Sequence, residues 1–303
     1  MITHYNLVSL FTIGPVAYGR TSEDIISAHT PMEFISGINA LLLTLATGSK
    51  LILQEKFVLE NLFSCIEKYK ITAFSAAASV YIKLYKKGTD KDISSLRKLI
   101  CGSEPLPNGF GKKLIEKYPF IKDFRQGLGM TEMTILMAME PVGSTNYDSV
   151  GVPTPGNKIV IVDPESGHDL GPNEPGEICV KGPTAFKGYY KNDEATKKTF
   201  DSQGFLHTGD IGYYDENKRF YVVDRIKEMI KCDGMQVPPA ELQAIFLTHE
   251  AVEEAIVIGI PDEISVEIPA AFVVIRENYK NKVTRDELLK YVNGKLLILL
   301  RSC

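Results

Sequence analysis

Short apolar runs alternate with segments of helical period in the first third of this 303-residue chain. The helical period covers residues 36–45, 59–69 and 79–87, and the apolar runs cover residues 50–53, 71–74 and 96–101. Strands separated by helices in this way pair in parallel, because each helix returns the chain to the end of the sheet at which the previous strand began. The sequence therefore predicts an α/β fold that begins with a parallel sheet covered by helices.

The pattern changes twice further along the chain. Short strands separated by turns are predicted at residues 158–163, 177–181, 211–214 and 219–224, with a hairpin loop at residues 215–218. After about residue 225, Pro238 and Pro239 open a helix that runs through Thr248, strands follow at residues 253–259 and 270–275, and a capping box at Thr284 opens a last helix. We predict a large domain at residues 1–224, β-rich in its later part, and a small α+β domain at residues 225–303.

Composition restricts the class of protein. A net charge of −4 creates no positive field for nucleic acid. The five cysteines include no C-x-x-C pair, which is typical of a reducing intracellular compartment. No apolar stretch is long enough to span a bilayer, the start shows no secretory signal, and the end is not a peroxisomal tripeptide. We expect an intracellular protein, peroxisomal or cytoplasmic, with no nucleic-acid partner and no transmembrane segment.

General motifs exclude several chemistries. The chain contains no GxxxxGK[ST] loop, no GxGxxG after a strand, no HExxH and no GxSxG. The five histidines have no metal-ligand spacing, so we expect them to be ordinary polar residues.

Longer strings occur in a fixed order instead. They are QGLGMTE at 126–132, GEI at 176–178, GYY at 188–190, HTGD at 207–210, DRIKEMIK at 224–231 and GMQVPPAEL at 234–242. Together they resemble the acyl-adenylate-forming (AMP-binding) superfamily, which includes 4-coumarate–CoA ligases, fatty acyl–CoA synthetases and beetle luciferases. One such string is weak evidence for this resemblance, but six strings in order at family spacing are specific evidence for it.

The resemblance implies a two-step reaction. ATP and a carboxylic acid, aromatic or fatty, form an acyl-AMP and pyrophosphate, and the acyl group then passes to the thiol of coenzyme A. Negative charge develops on phosphoryl oxygens, so this chemistry needs Mg²⁺ and donors at the α-phosphate. The family pattern implies that the Thr131 hydroxyl binds that phosphate and that Glu132 holds magnesium. From the residues alone, Thr131 and Glu132 could equally cap a following helix.

The resemblance also implies that Asp210 and Arg225 bind the ribose of the nucleotide. A carboxylate can accept hydrogen bonds from both ribose hydroxyls, and bonds to a charged acceptor are strong. The residues alone leave open an aspartate at a turn between strands and a surface arginine at a strand end.

The rest of the nucleotide is expected beside a glycine-rich strand end, since ligands of open α/β sheets usually bind at carboxyl ends of strands. Ser103 and Glu104 stand where the family more often has Gly-Ala. These larger side chains narrow the space for the ligand and leave the identity of the acyl group undetermined. Leu128 stands where a tyrosine often stacks on adenine. By resemblance, the nucleotide contacts at this edge are Gly102, Ser103, Glu104, Gln126, Gly127 and Leu128.

The acyl group is expected near Phe34. Residues 31–37 match a family segment beside the acyl pocket, which usually carries a histidine or an aromatic residue at position 34. Phe34 either lines that pocket or fills the core. Gly102, Lys227 and Lys231 complete the expected acyl contacts.

The small domain is expected to perform the second step. In the family it rotates about a hinge after adenylation and exchanges one set of catalytic residues for another. Lys227 matches the hinge region, and Lys231 and Gln236 match catalytic residues of the thioester-forming pose, in addition to Thr131. From the residues alone, Lys231 is more simply a solvated surface lysine, although a lysine there can neutralise phosphate or carboxylate charge.

Asp233 and Gly234 match the expected contacts of coenzyme A. Asp233 reverses the charge of a frequent lysine, which weakens the inference that the thiol step is intact. Gly234 suits a close approach of the ligand to the backbone.

Two family elements are not found. The phosphate-binding loop lies upstream of Thr3 in the family, and the final lysine of the adenylation pose lies downstream of NGKLLILL at 293–300. We therefore expect a chain incomplete at both ends that binds nucleotide but turns over poorly. The alternatives are a non-catalytic nucleotide- or acyl-binding remnant and a luciferase-like oxygenase.

Overall fold

The structure is a computed structural model that describes residues 1–55, 57–104, 106–232, 235–262 and 264–295. The chain divides into two compact units. The large unit comprises Met1–Thr208 and Tyr213–Tyr221, and the small unit comprises Gly209–Gly212 and Val222–Cys303. The domain boundary after residue 224 stays a prediction.

The large unit is built on a sheet of seven strands. Its helices are α1 (His4–Tyr18), α2 (Ile35–Thr47), α3 (Leu59–Tyr69), α4 (Ala78–Lys87), α5 (Phe110–Lys117) and α6 (Asp193–Thr199). The strands are β1 (Ile25–Ala28), β2 (Lys50–Leu53), β3 (Ala73–Ala76), β4 (Lys98–Cys101), β5 (Asp123–Leu128), β6 (Ala138–Met139) and β7 (Val152–Pro153), in the order β2-β1-β3-β4-β5-β6-β7. The neighbours from β2 to β5 are parallel, and β6 and β7 add antiparallel strands. The predicted parallel sheet is confirmed.

One predicted strand lies two residues later than expected. Residues 71–74 carry the apolar run, but the observed strand is Ala73–Ala76. Lys70, with a φ of +51°, closes α3 in the left-handed conformation, and the Ile71 N–H still donates to the Ile66 carbonyl. The ladder with β1 starts only at Thr72, whose N–H donates to the Ile25 carbonyl.

A second sheet has four strands. They are β8 (Lys158–Val162), β9 (Gly176–Lys181), β10 (Leu206–Tyr214) and β11 (Phe220–Arg225), in the order β11-β10-β9-β8. β10 begins five residues before the predicted start at residue 211. The predicted hairpin loop is confirmed, since the Lys218 N–H donates to the Asp215 carbonyl and the Asp215 N–H donates to the Arg219 carbonyl.

The small unit has the predicted α+β composition. Its strands are β12 (Ile230–Cys232), β13 (Met235–Val237), β14 (Val252–Asp262) and β15 (Val266–Ile275), in the order β13-β12-β15-β14, and its helices are α7 (Pro239–Leu247) and α8 (Arg285–Lys295). The Thr284 hydroxyl accepts the Glu287 N–H at 3.2 Å, as expected for the cap of α8. The core of the unit includes Ile230, Leu242, Phe246, Val252, Leu288 and Val292.

The sequence analysis did not predict α1. Thr3 and Asn6 form a capping box that begins this helix, and Gly19 ends it with a φ of +58°. The Asn6 amide donates 2.8 Å hydrogen bonds to the carbonyls of Pro183 and Ala185, which fixes α1 to a distant loop.

No helix of the described chain is long and apolar enough to cross a membrane. Among the cysteines within the described ranges, Cys65, Cys101 and Cys179 are free thiols.

Candidate functional site

Thr131 and Glu132 follow the carboxyl end of β5, in a short 3-10 helix at Thr131–Met133. The Thr131 side chain is exposed and Glu132 is half-buried. The Tyr189 hydroxyl donates a 2.7 Å hydrogen bond to Glu132 Oε1. The N-cap of this short helix is Met130, which makes no side-chain cap bond. The interpretation of Thr131 and Glu132 as helix caps is therefore wrong.

The backbone around Glu132 is held in an uncommon conformation. Thr134 and Ile135 have φ values of +49° and +84°, in the left-handed region that non-glycine residues seldom adopt. A Cβ on Gly129 would lie 1.4 Å from the Ile135 carbonyl oxygen, so only glycine fits there. The buried Thr134 hydroxyl donates to the Thr184 carbonyl at 2.7 Å. Such conformations cost about 1–3 kcal/mol each and persist where neighbouring contacts fix them, typically at functional sites.

The residues after β4 lie beside the carboxyl end of β5. Cys101 and Gln126 are paired in register, and a Cβ on Gly102 would lie 3.4 Å from the Gly127 carbonyl oxygen. Ser103 is exposed, with a φ of +70°. The structure thus brings several predicted nucleotide contacts to one edge of the sheet.

Other predicted nucleotide contacts have partners within the protein. Glu104 Oε2 accepts a 3.0 Å hydrogen bond from the Ser79 N–H in the first turn of α4. Gln126 is buried and its Nε2 donates to the Tyr147 carbonyl at 2.7 Å. Leu128, the last residue of β5, is half-buried. The Glu104 and Gln126 side chains therefore stabilise the sheet edge itself.

Asp210 and Arg225 form an ion pair within the small unit. Arg225 Nε lies 3.2 Å from Asp210 Oδ1. Asp210 lies inside β10 and is 7% exposed, so its interpretation as a turn residue is wrong. Burial raises the pKa of the Asp210 carboxyl, and the nearby Arg225 guanidinium opposes that shift. The Arg225 side chain is 66% exposed, so the pair joins a buried carboxylate to a solvated cation.

The Asp224 carboxylate accepts a hydrogen bond from the first turn of α7, although Asp224 lies outside that helix. Its Oδ2 accepts the Ala240 N–H and its Oδ1 accepts the Arg225 N–H, both at 2.8 Å. The N-cap residue of α7 is Pro238, which offers no side-chain acceptor. Asp224 supplies the missing acceptor, a kind of contact that contributes about 0.5–2 kcal/mol.

Lys231 and Gln236 are register partners on β12 and β13, and both side chains are exposed. Lys227 is exposed in the turn after β11. Asp233 and Gly234, the predicted contacts of coenzyme A, lie outside the described residues.

Phe34 is the N-cap residue of α2 and is 55% exposed. The interpretation of Phe34 as a core residue is therefore wrong. A Cβ on Gly37 would lie 2.4 Å from the Pro31 carbonyl oxygen, which shows how tightly the chain turns before α2. The contact between Phe34 and an acyl group stays a prediction.

Glu177, Cys179 and His207 form a cluster across β9 and β10. His207 Nδ1 lies 2.7 Å from Glu177 Oε2 and 3.5 Å from Cys179 Sγ. Burial raises the pKa of the Cys179 thiol to about 12. We assign the cluster to hydrogen bonding within the sheet, a more specific role for His207 than the sequence analysis expected.

The predicted site residues fall into two groups. The large unit carries Phe34, Gly102, Ser103, Glu104, Gln126, Gly127, Leu128, Thr131 and Glu132, and the small unit carries Asp210, Arg225, Lys227, Lys231 and Gln236. The sequence analysis missed the roles of Tyr189 and Asp224. Both lie in matched strings, but nothing in the sequence connects Tyr189 with Glu132, 57 residues away.

Comparison with known proteins gives consistent results. The model of the AMP-binding enzyme family matches residues 1–190, and that of the AMP-binding enzyme C-terminal domain matches residues 241–297. The chain is 36% identical over 312 residues to 4-coumarate-CoA ligase 1 of Narcissus pseudonarcissus, covering 98% of this chain and 56% of the relative. It is 37% identical over 301 residues to luciferin 4-monooxygenase of Nipponoluciola cruciata, covering 97% of this chain and 54% of the relative.

Solved structures are similar over the same extent. The crystal structure of ATP-bound MatB from Rhodopseudomonas palustris has a TM-score of 0.87 at 26% identity, covering 98% of this chain and 58% of that chain. The Bacillus subtilis o-succinylbenzoate CoA synthetase (MenE) in complex with the acyl-adenylate intermediate OSB-AMP has a TM-score of 0.85 at 28% identity, covering 98% and 59%. The chain spans about half the length of the curated relatives that it matches. With the two family matches, this places the chain in the AMP-binding enzyme family.

Proposed function

We propose that this chain carries nucleotide-binding and acyl-transfer residues of an ATP-dependent acid–CoA ligase. In that reaction a substrate carboxylate oxygen attacks the α-phosphorus of ATP, and pyrophosphate leaves. The thiol of coenzyme A then attacks the acyl carbon, loses its proton and displaces AMP. The expected substrates are aromatic or fatty acids, and the expected compartment is the cytoplasm or the peroxisome.

The observation that carries this proposal is the turn at Thr131 and Glu132. The turn follows the carboxyl end of a central parallel strand, where ligands of open α/β sheets bind. The exposed Thr131 hydroxyl is available to donate to a phosphate oxygen. Hydrogen-bond donors aimed at developing phosphoryl charge are a main source of catalysis in such reactions.

Glu132 fits the requirements of a magnesium ligand. Mg²⁺ is usually bound through one or two carboxylates together with substrate phosphates. The Tyr189 hydroxyl orients Glu132 through Oε1, and the half-buried position leaves the carboxylate accessible. Bound magnesium would neutralise phosphate charge, and Tyr189 would hold the carboxylate in place for it.

Asp210 and Arg225 are the proposed ribose ligands. A buried carboxylate is costly unless it is paired, and Asp210 already has Arg225 as a partner at 3.2 Å. Two ribose hydroxyls could add hydrogen bonds to this carboxylate, which favours its charged form.

The residues of the small unit suit the second step. The exposed Lys231 and Gln236 lie side by side, so a cation and an amide face the same solvent region. We propose that this pair contacts the activated acyl group, that Asp233 and Gly234 border the path of coenzyme A, and that residues 224–227 form the hinge.

An oxygenase is the second candidate function. The identity to luciferin 4-monooxygenase, 37%, is close to the 36% identity to 4-coumarate-CoA ligase 1, and both classes adenylate a carboxylic acid in the resembled family. Light emission with a luciferin substrate, ATP and O₂ would favour the oxygenase. Formation of an acyl-CoA without oxygen consumption would favour the ligase.

Calorimetric titration with AMP tests the nucleotide site. We expect measurable binding by the 303-residue chain, and a loss of about tenfold to a hundredfold in affinity for Asp210→Ala, because hydrogen bonds to a charged acceptor are removed. Asp90→Ala, at a side chain that is 89% exposed, is the matched control and should bind like the parent. Equal AMP affinities of the parent and Asp210→Ala would contradict the assignment of Asp210 as a ribose ligand.

A further inference from the structure

A cavity of about 50 Å³ lies in the large unit, at the carboxyl ends of β1 and β3. We call it the Arg20 pocket. It has room for a few water molecules or for one carboxylate with part of its chain. Its polar lining includes Tyr18 and Arg20 from the end of α1, His29 after β1, Ser36 and Asn39 in α2, and Ser75 in β3.

Arg20 is a buried cation whose hydrogen bonds are incomplete. The residue is 8% exposed, its Nη1 has no hydrogen-bond partner among the described residues, and no carboxylate of those residues forms an ion pair with it. Asp24 is the acidic residue whose charge acts on Arg20, but its carboxylate is bound by Lys98 at 2.7 Å. Arginine keeps its proton in proteins, and buried charges are normally paired. The Tyr18 ring lies 4.9 Å from the Arg20 guanidinium, so the cation has an aromatic face but no ion-pair partner among the described residues, and an anion beside Nη1 would complete its contacts.

Arg125 shows how this chain pairs the charge of a buried arginine that serves structure alone, although its Nε makes no hydrogen bond among the described residues. Arg125 is fully buried, and its Nε lies 2.8 Å from Asp123 Oδ1. Its Nη1 and Nη2 donate to the carbonyls of Ala17 and Tyr18 at 2.6 and 2.8 Å. These bonds fix the last turn of α1 and so hold Arg20, two residues further on, at the cavity.

Other polar atoms of the cavity also have no protein partner. Asn39 is 3% exposed and donates from Nδ2 to the Tyr18 hydroxyl at 3.2 Å, which leaves its Oδ1 unpartnered among the described residues. Ser75 Oγ and His29 Nδ1 are likewise buried without a partner in the described ranges. Ser75 offers a hydroxyl donor to an anion, and Asn39 Oδ1 can accept from an accompanying water or hydroxyl. Burial lowers the pKa of His29, so Arg20 is the cation of this group.

The N-terminal turn of α2 adds to the positive field. Ser36 and Gly37 line the cavity, and α2 is thirteen residues long. The first turn of a helix carries a partial positive charge from its unpaired amides, which favours an anion nearby. The same residues belong to the segment 31–37 that the family resemblance associates with the acyl group.

We propose that the Arg20 pocket binds a carboxylate group, and that the acid activated by this protein is a dicarboxylic acid whose second carboxylate lies on the Arg20 guanidinium. The identity of the dicarboxylic acid as a substrate rests on the proposed ligase function. Binding of a carboxylate by the pocket does not.

The first experiment measures thermal unfolding of the 303-residue chain with small probes at matched ionic strength. Sodium acetate should raise the melting temperature of the parent, whereas acetamide, its neutral analogue, should not. Arg20→Met should abolish the acetate effect, and Arg20→Lys, which keeps the charge, should retain part of it. Arg97→Met removes an exposed arginine of the same unit and should respond to acetate like the parent. If Arg20→Met fails to fold, the comparison of Arg20→Lys with the parent still decides, since an acetate effect identical in both would contradict a guanidinium site.

Two outcomes of this experiment overturn the proposal. Equal stabilisation of the parent and Arg20→Met by acetate would show that acetate binds elsewhere. Stabilisation by inorganic phosphate equal to that by acetate would show a general anion site rather than a carboxylate site.

The second experiment titrates dicarboxylic acids of increasing chain length and the matching monocarboxylic acids. Arg20→Met should weaken binding of the preferred dicarboxylate by about tenfold to a hundredfold, so that the ratio of its affinity to that of the matching monocarboxylic acid falls toward one. Equal losses for both classes would overturn the substrate assignment. AMP affinity is measured for the same proteins. Failure of AMP to bind to the parent would contradict the proposed function while leaving the acetate result valid. Equal affinity of the parent for dicarboxylic and monocarboxylic acids, with intact AMP binding, would contradict the dicarboxylate assignment alone.

Discussion

Lys231 and Gln236 are directly opposite each other on two antiparallel strands of the small unit, and both side chains are exposed. Opposed residues of an antiparallel pair have Cβ atoms about 4.5–5.5 Å apart and project from the same face. Two residues that the sequence placed only in neighbouring strings thus form one polar surface. This arrangement suits joint contact with a charged ligand.

Alanine at either position should weaken ligand binding while leaving the free energy of unfolding nearly unchanged. Substitutions of exposed residues usually change the free energy of unfolding by less than about 0.5 kcal/mol. We expect Lys231→Ala to weaken binding of a non-hydrolysable acyl-AMP mimic by about tenfold, because a charge-assisted hydrogen bond is lost. Calorimetry on Lys231→Ala, Gln236→Ala and the double variant measures their coupling. Lys290→Ala, at an exposed lysine of α8, is the control, and an equal loss there would contradict a specific role for Lys231.

Asp210 should make stability depend on pH in a defined direction. Because burial raises its pKa, the folded chain holds this proton to a higher pH than the unfolded chain does. The contribution of Asp210 to stability is therefore greatest below the ordinary aspartate pKa, and it falls as pH rises through the folded pKa. Asp210→Asn should be more stable than the parent at neutral pH and equal to it in acid, while binding AMP more weakly. Thermal unfolding across pH measures this difference, and a constant offset at every pH would rule out titration of the Asp210 carboxyl as its cause.

The Tyr189 hydroxyl should affect ATP affinity only when magnesium is present. Tyr189→Phe removes the hydroxyl that donates to Glu132 Oε1 at 2.7 Å, so the carboxylate loses its orientation. We expect the gain in ATP affinity caused by Mg²⁺ to fall several-fold in Tyr189→Phe and to disappear in Glu132→Gln, as is common when the support of a metal ligand is removed. Tyr190→Phe, at a neighbouring tyrosine that is 71% exposed, is the matched control. A Mg²⁺ effect of parental size in Tyr189→Phe would mean that this hydroxyl does not position Glu132.

Limited proteolysis tests the proposed hinge. Residues 225–228 are exposed at the end of β11 and in the turn after it. They include Arg225 and Lys227, both sites for trypsin. We expect first cleavage there and protection of the larger fragment by AMP. Lys227→Gln should slow the cut without changing the later fragments. Earlier cleavage within residues 158–210 would show that the domain boundary lies elsewhere.

The element types were largely predictable from the sequence. The helix at Leu59–Tyr69 has its predicted bounds because its apolar residues keep one period from end to end. The strand at Lys50–Leu53 has its predicted bounds because polar residues flank its apolar run. The helix α1 was missed, because its residues Leu10, Ile13 and Gly14 are buried on one side while Tyr5, Val8 and Val16 are exposed apolar residues that obscure the period. The shift of β3 was equally hidden, since a left-handed Lys70 decides where the strand starts.

By itself the sequence determined the fold class, the family and the strings that carry the candidate site, because local period and motif spacing are properties of the chain alone. The tertiary structure decided which side chains meet: Tyr189 with Glu132, Asp224 with the first turn of α7, and Arg225 with Asp210. It alone also revealed that Arg125 donates to backbone carbonyls and pairs with Asp123, whereas Arg20 is buried beside a small polar cavity. Burial and long-range hydrogen bonding depend on residues far apart in the chain, so no local pattern could distinguish these two arginines.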